Sequence, residues 1–97
     1  MDQILAAKAH GMGIPEGLAE VWPLILKAIE VGWLDHDDLL ELVQALSTEG
    51  FGGYGVLEFS VEPKWGSEGD MQVSFLDERY DCPRNLLTKQ LESLLLA

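Results

Sequence analysis

Residues 42–62 read "LVQALSTEGFGGYGVLEFSVE", and within this stretch the spacing of apolar side chains changes period. Up to Leu46 the run Leu39, Leu42, Val43 and Leu46 keeps helical spacing, with Asp37, Glu41 and Gln44 on the opposite face. From Tyr54 onward Leu57, Phe59 and Val61 alternate with Glu58, Ser60 and Glu62, the two-residue period of a strand with one wet face. A helix therefore passes into a sheet across residues 47–53, and Gly50 is placed to end the helix in a left-handed conformation. The class that follows is α+β.

The joint spells Gly50-x-Gly52-x-x-Gly55, formally the G-x-G-x-x-G of a phosphate loop. That motif binds pyrophosphate where it leaves a strand and opens a helix, because the free amides of the helix N-terminus face the anion. Here the order is reversed, so the helix end facing the loop carries carbonyls and a partial negative charge. A kinase-type glycine loop needs a lysine and a catalytic loop further on, and neither follows. The expectation is a structural joint that folds Phe51 and Tyr54 over the core, with no cofactor.

Outward from this stretch, the upstream chain carries helices. "DQILAAKAH", residues 2–10, suits a short first helix with Ile4, Leu5 and Ala9 available to dock. Leu18, Trp22, Ile25 and Ile29 then share one helical face, and Pro23 within them implies a kink or a start near Glu20 that leaves Pro23 in the first turn. Gly32 closes that helix. In "LDHDDL" Asp35 is the N-cap, Asp38 at N3 completes a variant capping box, and Leu34 and Leu39 have the spacing of a hydrophobic staple. A connection of only two or three residues predicts an αα-hairpin.

Downstream, "PKWGSEGD", residues 63–70, is a turn, and "MQVSFLDE" repeats the alternation with Met71, Val73 and Phe75 inward and Gln72, Ser74 and Leu76 outward. The last helix starts at Asp81 or Cys82 followed by Pro83 and buries Leu87, Leu91, Leu94 and Leu95. The expected architecture is α+β in two layers over residues 1–97 as a single domain: N-terminal helices, an antiparallel β-hairpin or small sheet, and a C-terminal amphipathic helix.

Charge is the outlying property. Seventeen acidic residues against six basic ones give −11 at pH 7 and a pI near 4.2 on 97 residues that are 47% hydrophobic. Between Lys27 and Lys64 no lysine or arginine occurs, while Glu30, Asp35, Asp37, Asp38, Glu41, Glu49, Glu58 and Glu62 do. Such a field repels nucleic acid and anionic membranes and favours a basic partner. A lone cysteine, an acidic N-terminus and the lack of any ~20-residue apolar run predict a cytoplasmic protein without disulfides or membrane spans.

Catalytic and metal chemistry find little support in these residues. In "DHDD" consecutive side chains at a helix start diverge, His36 has no second histidine nearby, and Leu39 and Leu40 stand where a calcium loop needs an oxygen ligand and a glycine. Cys82 at a helix start would be activated, but Asp81 opposes ionisation and only His10 and His36 are bases of suitable type. A structural cysteine and a non-enzymatic protein are expected, with a Cys82 thiol enzyme as the remote alternative.

The carboxylates fall in rows. Asp37 and Glu41 lie one helical turn apart, ~6 Å, and Glu58 and Glu62 about 13 Å apart on one strand face. Duplex DNA presents one charge per ~1.7 Å of axis, and its binding proteins answer with channels of lysine and arginine that rows of carboxylates can enter. The expectation is a non-catalytic protein-binding module that occupies the basic nucleic-acid-binding surface of a partner. The residues expected to do so are Asp35, Asp37, Asp38, Glu41, Glu49, Glu58 and Glu62, with Tyr54 and Trp65 as apolar anchors. Small acidic bacteriophage proteins that block restriction or CRISPR complexes act in this general way; the parallel is one of size and charge, without a shared motif. The alternatives are an immunity or antitoxin-like protein that neutralises a basic toxin, and a homodimeric adaptor joined through the hairpin edge.

Overall fold

A computed structural model describes residues 2–97. Among the described residues there are four helices, α1 (Gln3–Gly11), α2 (Trp22–Glu30), α3 (His36–Leu46) and α4 (Arg84–Leu96), and a four-stranded antiparallel sheet, against which α2 and α4 pack directly while α1 and α3 lie mainly on those helices. Its strands β1 (Tyr54–Val56), β2 (Phe59–Pro63), β3 (Asp70–Phe75) and β4 (Glu78–Pro83) follow one another in spatial order as a meander. A 3₁₀ turn, Glu16–Leu18, precedes α2.

Each helix starts where its sequence chemistry allows. Asp2 caps α1, its carboxylate accepting from the Leu5 amide at 3.0 Å. Leu5, Ala6 and Ala9 dock, whereas Ile4, expected to do so, is 72% exposed because the helix turns it outward. Pro23 lies in the first turn of α2, where its missing amide has no intrahelical partner to lose, so the late start replaces a kink. Gly32, at φ +84°, follows the Val31 C-cap. In α3 the capping box forms as spaced, Asp38 N donating to Asp35 Oδ1 at 2.8 Å and Asp35 N to Asp38 Oδ2 at 3.0 Å. The staple residues Leu34 and Leu39 are both fully buried. Although α2 and α3 are consecutive, α2 lies mainly against α1 and β3, and α3 mainly against α4.

The sheet is larger than one hairpin. Phe59, Val61, Met71, Val73, Phe75 and Cys82 point into the helices, burying large apolar side chains at ~1.5–3 kcal/mol each. Ser60, Glu62, Gln72, Ser74 and Asp81 occupy the open face, where Ser60 Oγ and Ser74 Oγ share a hydrogen bond of 2.6 Å. Two tight turns that the alternation hides divide the expected strands. Val56 pairs with Phe59 around Leu57-Glu58, and Phe75 with Glu78 around Leu76-Asp77. Leu57 and Leu76 sit at φ +52° and +54°. Leu57, expected in the core, is thus a turn residue 75% exposed, and Leu76 is also a turn residue rather than a strand residue. Cys82 lies near the end of β4 rather than in the first turn of α4, which is capped by Pro83. Buried residues from every helix and from β2, β3 and β4 form one cluster, with Trp33 against Phe75 at 5.1 Å between ring centroids. Among the described residues no helix is long and apolar enough to cross a membrane.

Candidate functional site

The first group of expected site residues gathers at the start of α3. Asp35 is held below the usual carboxylate range, chiefly because the Asp38 amide donates to it. Residues 47–53 then bring the chain back along α3 and set Tyr54 of β1 beside these acids. Burial pushes the Tyr54 phenol up to about 12, and the Asp38, Glu41 and Asp35 carboxylates add to the shift by opposing a phenolate. Asp37 and Glu41 face solvent on the same helix, and Leu40, an exposed apolar residue of α3, stands between them in the chain. Asp35, Asp38 and Glu41 are therefore neighbours of Tyr54, and Asp37 is exposed one helical turn before Glu41.

The glycine-rich joint is what makes the return possible. The helix ends at Leu46 with Ser47 as C-cap, earlier than Gly50, which instead turns the following chain at φ +75°. Arg84, the first residue of α4, donates Nε to the Leu46 carbonyl at 2.9 Å and Nη2 to the Thr48 carbonyl at 3.1 Å, and its guanidinium lies over the Phe51 ring at 5.8 Å. A cation at the C-terminus of α3 thus satisfies carbonyls that would otherwise face the loop. Gly53 adopts φ +130°, a backbone open to glycine, and passes beside Glu62, whose Cγ an added Cβ would meet at an ordinary contact distance of 3.4 Å. The loop leaves a helix C-terminus and enters a strand, the reverse of a phosphate-binding order.

The second group sits at the far side of that loop. Glu62 on the open face of β2 and Trp65 in the β2–β3 turn line a cavity of about 430 Å³ together with Gly52, Pro63, Lys64 and Gly66. Trp65 is 98% exposed. Glu58 and Glu49 join neither group. Glu58 occupies the Leu57-Glu58 turn at the opposite end of β2, its carbonyl accepting from the Leu76 amide, so the expected strand row of Glu58 and Glu62 is not formed. Glu49 is exposed past the C-terminus of α3, away from Asp35 by the length of that helix.

Four of the six lysine and arginine side chains are tied within the molecule, two of them to carboxylates and two to carbonyls. Lys27 Nζ pairs with Glu78 at 2.7 Å, Lys64 pairs with Asp81, Lys8 donates to the Ala97 carbonyl, and Arg84 caps α3. Asp81 draws the Lys64 ammonium pKa upward, and Lys64 holds Asp81 below the usual range. His10 pairs with Glu30. None of these ion pairs reaches Asp35, Asp37, Asp38, Glu41 or Glu62.

The remaining candidates have simple surroundings. Cys82 is 3% exposed opposite Met71, and burial, followed by Asp70 and Asp81, pushes its thiol up to about 12. His36 is exposed in the first turn of α3. Among the described residues no group of three or more histidine, cysteine, aspartate or glutamate side chains is placed to share a metal ion. Sequence reasoning missed Gly52 and Pro63 as cavity walls, because residues 52 and 63 become neighbours only when β1 pairs with β2. No model of a known protein family, no curated protein and no solved structure matches the chain.

Proposed function

We propose that the protein is a non-catalytic, acidic protein-binding module that occupies the basic, nucleic-acid-binding surface of a partner. The observation that carries this reading is the unneutralised carboxylate surface of α3, Asp35, Asp37, Asp38 and Glu41, on a molecule whose cations are largely tied to other groups. Charges left without counterions steer a basic partner toward that face and speed encounter, and Tyr54 and Leu40 supply apolar contact beside them. The Asp35 and Asp38 carboxylates, already fixed by the capping box, lose little freedom on binding. The buried, protonated Cys82 weighs against the thiol-enzyme alternative.

The test is capture of partners by the tagged protein at ~0.1 M and ~1 M salt, where the Debye length falls from ~10 to ~3 Å. The expected result is a nucleic-acid-binding protein held at low salt, released at high salt and displaced by duplex DNA. Capture that ignores both salt and DNA would remove this reading, and capture of a basic toxin without nucleic-acid activity would replace it with the antitoxin alternative. The homodimer alternative rests on one feature, that β4 ends the sheet with no further strand beside it, although the 3₁₀ turn Glu16–Leu18 packs against that strand. Sedimentation over a range of protein concentration measures whether that edge pairs.

A further inference from the structure

Trp65 stands at the second position of the turn Lys64-Trp65-Gly66-Ser67, closed by Ser67 N donating to the Lys64 carbonyl at 3.3 Å with Gly66 at φ +75°. The turn is braced from behind. Ser67 Oγ donates to Asp70 Oδ2 at 2.9 Å, Lys64 N to the Asp70 carbonyl at 3.1 Å, and Arg84 N to the Gly69 carbonyl at 2.8 Å. An indole that is 98% exposed adds nothing to the core, yet its turn is held by these hydrogen bonds. The adjoining cavity, about 430 Å³, falls within the ~300–1,000 Å³ range of small-ligand clefts. The space beside Gly52 and Gly66 is open, since a Cβ at either would meet nothing within 4 Å.

The polar groups around this cleft select the sign of its occupant. Lys64 is committed to Asp81, whereas Glu62 is exposed and enters no ion pair. With Asp70 and Asp81 close behind Lys64, the surroundings are net negative. An anion is thereby disfavoured, and a cation finds an exposed indole and a carboxylate bordering one open cleft. A planar guanidinium uses both, by stacking on the ring and by paired hydrogen bonds to the carboxylate; an ammonium lacks the flat face.

We propose that the cleft between Trp65 and Glu62 receives an arginine side chain of the partner protein. This rests on the reading that the partner is basic, and it assigns to the β2–β3 end a specificity that the α3 surface, a plain array of charge, does not have. Residues 47–53 then link two binding features, with Tyr54 on the α3 side and Gly52 in the cleft.

Titration with hexa-arginine and hexa-lysine peptides at low salt, followed by calorimetry and tryptophan fluorescence, tests the assignment. The wild type is expected to bind hexa-arginine more tightly than hexa-lysine. Trp65→Ala should weaken hexa-arginine roughly two- to fivefold and abolish the preference for arginine, and Trp65→Phe should retain most of it. Glu62→Gln should cost more than Glu92→Gln, which removes one charge from α4 about two turns beyond Arg84. Trp65 is outside the core, so Trp65→Ala should melt with the wild type, which separates lost binding from lost folding. If Trp65→Ala and Glu62→Gln bind as the wild type does while an Asp37→Lys, Glu41→Lys variant loses affinity, the cleft assignment falls and the acidic-surface reading stands. If the wild type binds neither peptide, both fall.

Discussion

Gly52 and Gly53 are adjacent, both exposed, and expected to respond oppositely to the same added methyl group. Gly53 has φ +130°, where any side chain is strained, whereas Gly52 has no such backbone. A Cβ at Gly53 would meet Glu62 Cγ at 3.4 Å and the Val61 carbonyl at 3.8 Å, which are ordinary contacts, so the cost of Gly53→Ala is conformational and amounts to ~1–3 kcal/mol. At Gly52 nothing lies within 4 Å, and alanine narrows the unfolded ensemble, which stabilises by ~0.4–1 kcal/mol. For a domain of this size 1 kcal/mol corresponds to roughly 4–8 °C in Tm. Thermal melts should therefore place Gly53→Ala well below the wild type and Gly52→Ala level with it or slightly above. Urea titration of the same proteins should move the midpoint without changing the slope. Equal destabilisation by both substitutions, or a Gly53→Ala protein that melts with the wild type, would refute the assignment of the bend to the Gly53 backbone. The consequence for function is direct, since Gly53 sets Tyr54 against α3 and passes beside Glu62.

Leu57→Asn and Leu76→Asn replace leucines at φ +52° and +54° with a residue that tolerates the left-handed region, and each should raise Tm by a few degrees. Unchanged or lower melting of both would show that the turns are not strained. The alkaline limb of stability should involve Tyr54: its folded pKa of about 12 exceeds the ordinary 10.0, so its contribution is complete below pH 10 and is lost as pH rises toward 12. Absorbance titration of a Tyr80→Phe variant, in which Tyr54 is the sole tyrosine, should give a midpoint near 12, and a midpoint near 10 would contradict the packing of Tyr54 against the α3 acids. On the acid side, Asp35 and Asp81 are both depressed, so their stabilisation is present above the ordinary value of 3.8 and is lost as pH falls through their lower folded values. Urea midpoints followed from pH 6 to pH 2 should bend only at the acid end, and a loss already complete by pH 5 would exclude these two groups as its source.

Helix positions were legible because their signals are local. The Asp35 cap, the Asp38 return bond and the Leu34–Leu39 staple involve neighbours within one turn, whereas Pro23 left a kink and a first-turn position both open, and the structure places it in the first turn. The inward faces of β2 and β3 followed from alternation for the same reason. The extra strands did not, because Leu57-Glu58 and Leu76-Asp77 carry no glycine or asparagine and sit in continuous alternating runs. Their turn geometry is imposed by the pairing of whole strands, which outweighs the local preference of leucine for negative φ.

What the sequence determined by itself is the class of fold, the start of α3, the polar and apolar faces of the central strands and the excess of negative charge, each of which depends on residue type and short-range spacing. Tertiary structure alone decided which charges share a surface. It set Tyr54 beside Asp35, Asp38 and Glu41, removed Glu58 to the far end of the sheet, and tied Lys64 to Asp81 while Glu62 stayed free of ion pairs beside Trp65. The physical reason is that ion pairing and field strength depend on distances between residues far apart in the chain, and those distances exist only after β1 has folded back along α3 and paired with β2.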